Sequence, residues 1–160
     1  MANQIFNIAR GRDVQFVTNV NDNSPANSAL VLLLLTAAEA DDTLNNYDDL
    51  GALLGAAGNT EATATNYARK VIDDTGSITI TVDDTGNDVT IDMPDQLFTS
   101  LGGATNNTFV KAIIAYDSDT TGGTDANIIP MYHYDILAPN DTTNGQNFTV
   151  QINASGLITQ

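Results

Sequence analysis

The chain has 160 residues, enough for one domain with its own hydrophobic core. Twenty Asp and Glu against five Lys and Arg leave a formal charge of -15, which repels nucleic acid phosphates and anionic membranes. The absence of cysteine excludes disulfides and thiolate chemistry, and a chain only 16% charged but rich in Thr, Asn, Asp and Gly disfavours long surface helices.

Residues 1–12 mix apolar Ile5, Phe6 and Ile8 with Arg10 and Arg12, and read either as an N-terminal arm or short helix, free to contact a partner ahead of a domain spanning 13–160, or as a first strand or frayed terminus. No basic region followed by an apolar run marks a secretion signal there, so a soluble protein made in the cytoplasm of its producer is expected. The stretch "DVQFVT" from Asp13 is β-like, and "NDNSPANS", Asn21 to Ser28, is a turn cluster. The apolar run "ALVLLLL", Ala29 to Leu35, is too short to cross a bilayer as a helix. With apolar residues at successive positions it predicts a central strand covered on both faces, with a buried helical turn as the alternative.

Asp41 to Asn59 carries the helical pattern, Tyr47, Leu50, Leu53 and Leu54 recurring at three- and four-residue spacings. Beyond it, strands are predicted at 65–72, 77–82, 88–93, 96–100, 109–116, 127–137 and 147–153, separated by turn-rich segments such as "DDTGND", "GGATNN" and "PNDTTNG". Pro130 within the sixth of these implies an edge position or a bulge. The fold class expected is all-β, a two-sheet β-sandwich or jelly-roll-like domain with one short inserted helix.

Asp-Thr-Gly, the tripeptide of aspartic proteases, occurs at Asp74 to Gly76 and at Asp84 to Gly86. A protease needs two carboxylates close enough to share a proton, whereas the intervening "SITITV" alternates as a strand and holds its ends roughly 20 Å apart. Both tripeptides therefore read as turns in which Asp bonds forward to the backbone and Gly supplies a positive φ. Asp117, Asp119 and Thr121 before Gly122 match the first half of an EF-hand calcium loop. The twelfth position, Ile128, is no ligand, so the segment predicts an acidic hairpin loop, with a calcium site on Asp117, Asp119 and Asp125 as the alternative. His133, the single histidine, has no recognisable nucleophile beside it in sequence, and alternation places Met131, His133 and Asp135 on one strand face with Tyr132, Tyr134 and Ile136 on the other. No catalytic residues and no cofactor are assigned. The cations fall in three places, Arg10 with Arg12, Arg69 with Lys70, and Lys111, each open to an acidic partner or to internal ion pairing.

"LLLLT" (32–36), "YDDLGALLG" (47–55), "NYARKVI" (66–72), "NDVTIDM" (87–93), "FVKAIIAYDSDT" (109–120), "NIIPMYHYDI" (127–136) and "GQNFTVQINASGLI" (145–158) follow one another in an order that resembles small virion structural proteins of tailed bacteriophages, those of the head decoration, cement or minor structural type. The resemblance covers most of the chain after residue 28. It implies a non-enzymatic protein on the capsid exterior, assembled in the host cytoplasm, bridging major capsid protein subunits and self-associating as a trimer, without nucleic acid or membrane partners. Ile5, Phe6, Ile8, Arg10 and Arg12 are the expected contact residues. A neck or tail accessory protein, and a carbohydrate- or receptor-binding sandwich using Tyr132 and Tyr134 with the loop after Asp117, are the alternatives.

Overall fold

The structure, a computed structural model, describes residues 3–73, 76–136, 142–153 and 156–159. Its elements are β1 (Asn3–Ile5), α1 (Asp13–Asn21), β2 (Ala29–Ala37), α2 (Asp41–Leu44), α3 (Leu50–Gly55), β3 (Thr60–Glu61), β4 (Lys70–Ile72), β5 (Thr79–Asp83), β6 (Asp88–Asp92), β7 (Gln96–Leu101), β8 (Lys111–Asp117), β9 (Ile129–Asp135), β10 (Gln146–Val150) and β11 (Ile158–Thr159). Among the predicted features, Asp74 and Thr75 of the first Asp-Thr-Gly, Leu137, and Pro139 to Asp141 of the "PNDTTNG" turn lie outside the described residues.

The fold is all-β and sandwich-like, with every strand pair antiparallel. Its centre is a six-stranded sheet in the order β1-β9-β8-β2-β3, with β4 also paired to β2. β2 is buried from Ala29 to Leu35, as a run apolar on both faces requires. Leu30, Leu32 and Leu34 enter one core, completed by α1 and by the two small sheets β10-β7 and β11-β6-β5. Leu33 and Leu35 enter a second core, closed by Phe6 and by Leu44, Leu50 and Leu53 of α2 and α3. β8 obeys the same alternation, with Ala112, Ile114 and Tyr116 in the first core and Ile113 and Ala115 in the second.

Three local expectations are corrected. "DVQFVT" opens α1 rather than a strand: Asp13, Phe16, Val17 and Val20 are its buried residues, a helical spacing that tertiary contacts select over β-branched propensity. Phe16 stacks on Tyr116 with ring centroids 4.7 Å apart, and buried Asp13 accepts the Tyr132 hydroxyl at 2.7 Å. The single helix expected within 41–59 is two short ones, the second capped by Asp49, whose Oδ1 accepts from the Ala52 amide at 2.7 Å. The strand expected at 65–72 is confined to 70–72. Pro130 does mark a bulge. Ile114 faces Tyr132 and Ala115 faces Pro130, so Met131 is the extra residue. The bulge turns Met131 to the first core beside Tyr132, while His133 lies against Phe6 in the second.

The N-terminal segment is part of the domain and not a free arm. β1 pairs with β9, the Phe6 amide donates to the Met131 carbonyl at 3.0 Å, and Phe6 and Ala9 are wholly buried. Removing residues 2–12 is therefore expected to unfold the domain. Phe6→Ala should lower stability by about 3 to 5 kcal/mol, as for a buried Phe truncated to a cavity. A urea titration followed by tryptophan-independent far-UV circular dichroism checks both.

Candidate functional site

Of the five N-terminal residues expected to meet a partner, the structure withdraws two. Ile5 and Phe6 are buried, Ile8 is half-buried against the second core, and only Arg10 and Arg12 are exposed. Arg10 Nε donates to Asn7 Oδ1 at 3.1 Å, and the Arg12 guanidinium lies 4.8 Å above the Phe16 ring. Neither arginine is in an ion pair among the described residues.

The remaining cations are engaged internally. Arg69 reaches Glu61 at 2.7 Å and Asp125 at 2.6 Å, forking onto both oxygens of each carboxylate. Lys70 lies over the Phe98 ring at 4.8 Å. Both Asp125 oxygens accept from Arg69, which also holds the carboxyl below the usual range, so in this structure Asp125 is engaged by a cation of the chain itself rather than grouped with Asp117 and Asp119. Asp117 Oδ1 accepts the Asp119 amide at 3.0 Å, and Asp119 Oδ1 accepts both the amide and the hydroxyl of Thr121. Asp117, Asp119 and Asp125 thus order a loop. Among the described residues no group of three metal-ligating side chains is arranged to hold an ion.

Lys111 lies at the edge of the second core in a polar network that spacing did not reveal. Its ammonium is 2.6 Å from Asp41 Oδ1 and also binds Asp135, its antiparallel partner on β9. Burial draws the Lys111 pKa down, but the two carboxylates outweigh it and the net shift is upward. The Lys111 hydrogen bond in turn keeps Asp41 below the ordinary carboxylate range. Gln4 Nε2 donates to Asp41 Oδ2 at 3.0 Å, and Asn45 Nδ2 donates to Gln4 Oε1 at 2.6 Å. A carboxylate can only accept, so Asp41 sets the direction of the whole chain of bonds. Asn45 Oδ1 must then accept from His133 Nε2, 3.0 Å away, which fixes the neutral tautomer with the proton on Nε2. His133 Nδ1 is left buried without a hydrogen bond, 3.9 Å from Asp41 Oδ1. Burial first, and the Lys111 charge second, push the His133 pKa below its ordinary value. The network ties β1, α2, β8 and β9 together, with its cation and its imidazole both shielded from solvent.

The remaining candidates are also structural. The second Asp-Thr-Gly forms the turn between β5 and β6, where Asp83 Oδ1 accepts from the Thr85 and Gly86 amides. The left-handed position belongs to Asn87, φ 56°, not to the glycine. Tyr132 is buried on Asp13, and the half-buried Tyr134 donates its hydroxyl to the Leu157 carbonyl at 3.0 Å. A cleft of about 320 Å³ beside Tyr134 is lined by apolar side chains including Ile114, Phe148 and Leu157. No helix among the described residues is long and apolar enough to cross a membrane. No protein-family model, curated protein or solved structure matches the chain.

Because folding lowers the His133 pKa, its contribution to stability is fully present above the unfolded value near 6.5 and is lost as pH falls through the lower folded value. Asp41 and Asp125, also lowered, add a second loss beginning below roughly pH 4. The melting temperature should therefore decline between pH 7 and 5, and a His133→Asn variant, whatever its own stability, should lose that part of the slope while keeping the decline at lower pH.

Proposed function

We propose that the chain is a non-enzymatic virion structural protein of a tailed bacteriophage, a decoration or cement protein that binds the major capsid protein on the capsid exterior and bridges its subunits. The observation that carries this reading is the exposed Arg10 and Arg12 on a chain of charge -15. In a molecule whose other cations are turned inward, two exposed guanidiniums with no ion pair among the described residues suit a protein interface with acidic groups opposite. The resemblance of the strand-and-turn segments supplies the identity of the partner, and the acidity of the remaining surface supports a protein contact over one with nucleic acid or lipid. Cementing then acts through added interfaces: shell opening must separate the bridging molecule as well as the shell subunits it joins. Self-association as a trimer belongs to the same proposal.

Quantitative mass spectrometry of purified virions tests the reading. A ratio near one copy per capsid subunit is expected. A few to a few tens per particle would move the protein to the neck or tail, and absence from the virion would overturn the proposal. Arg10→Glu with Arg12→Glu should abolish binding to isolated capsids while leaving the unfolding midpoint nearly unchanged, because surface substitutions typically alter stability by less than about 0.5 kcal/mol.

A further inference from the structure

We infer that the free edge of β5 is a docking site for an extended, basic segment of a partner protein, which adds as a fourth strand to the β11-β6-β5 sheet. β5 pairs with β6 over all five residues, Thr79 opposite Asp92 through Asp83 opposite Asp88, and among the described residues its other edge is unpaired. The outer side of β2 and the free side of β7 are both covered. β2 has β4 and β3 along its outer side, and the free side of β7 is met by the segment before β4, where Asn66 Nδ2 donates to the Ser100 carbonyl and the Gly102 amide donates to the Thr65 carbonyl, both at 2.8 Å. An edge left open presents backbone donors and acceptors in register for another chain.

The side chains say what that chain should carry. Ile78 is buried and Ile80 half-buried against the first core, but Val82, next in the same alternation, is 64% exposed, more than Val14, Val71 or Leu97. The β5-β6 ribbon thus overhangs the core and offers an apolar contact that the described residues leave largely uncovered. At its tip, Asp83 is directly opposite Asp88. A Cβ on Gly86 would lie 3.0 Å from Asp83 Oδ2 and 3.2 Å from Asp88 Oδ2, so the two carboxylates converge over that glycine, with Asp84 adjoining. Like charges directly opposite each other destabilise a ribbon, and no described ion pair supplies them with a cation. A lysine or arginine on an incoming strand would relieve that repulsion while an apolar neighbour covers Val82. A second copy of this chain fits poorly, since its own β5 would bring the same three carboxylates into the joined ribbon.

The probe is a synthetic peptide, Lys-Val-Thr-Val-Lys-Val-Thr-Lys, titrated into the full chain and followed through backbone amide NMR, with a control in which every Lys is Glu. Saturable shifts centred on residues 79–83 are expected with the basic peptide alone. Val82→Lys, at an exposed position that leaves the fold intact, should weaken binding about tenfold by charging the edge. Asp83→Asn with Asp88→Asn, which retains the acceptor for the Thr85 and Gly86 amides, should weaken it about fivefold and flatten its salt dependence. Shifts elsewhere, no saturable binding, or equal response to both peptides would overturn the inference. So would concentration-dependent shifts at β5 without peptide, which would name a second copy as the occupant. The test is independent of the virion reading: peptide binding by a protein that ignores capsids would sustain this inference and overturn that one.

Discussion

Seven consecutive residues of β2, Ala29 to Leu35, are buried with no more than 3% of their surface exposed, and the rest of the architecture answers to that constraint. A strand apolar on both faces must be covered on both. One side is met by the small sheets and α1, the other by the short helices α2 and α3 with Phe6 and Ile128. Neither cover is an independent unit. α2 has four residues and α3 six, too short to hold together in water without the surface they close.

Charge is distributed with the same economy. Lys111 is committed to Asp41 and Asp135, Arg69 to Glu61 and Asp125, and Lys70 to an aromatic face. Each of the two carboxylate clamps joins segments far apart in the chain: Arg69 holds the loop after β8 against the β3 region, and Lys111 holds the start of α2 against β8 and β9. Breaking one would leave a partly buried charge facing carboxylates without compensation, so these pairs specify where the loops lie even if their net contribution to stability is small. The acidic excess is carried outward, where it keeps the molecule apart from other anions.

Two exposed features of opposite sign result, the Arg10 and Arg12 pair and the Val82 edge with its carboxylates. They differ in kind. The arginines sit on a turn and at the start of a helix, where only side chains can make contact, whereas β5 offers backbone hydrogen bonds that fix the direction and register of whatever pairs with it. The bridging role proposed above would need at least two contacts with different partners or different parts of one partner, and two chemically distinct surfaces would prevent one contact from substituting for the other.

The all-β class, the central strand, the bulge at Pro130 and the strands from β5 to β8 were legible in the residues, because period-two alternation, β-branched runs and turn residues are local signals that do not depend on distant contacts. α1 was not, because "DVQFVT" satisfies a two-residue period as well as a helical one, and only the Tyr116 ring and the Tyr132 hydroxyl decide between them. The N-terminal segment was left open between a first strand and an arm, since β1 gains its partner from β9, more than 120 residues away in sequence. The polar network was invisible for the same reason: Gln4, Asp41, Asn45, Lys111 and His133 share no motif, and meet only because four elements converge. Composition and periodicity by themselves determined an acidic, thiol-free β domain with one fully buried strand. Which of its cations face solvent, which carboxylates order loops, and which strand edge stays open were decided by tertiary structure, because pairing and burial depend on distances between segments that no local pattern encodes.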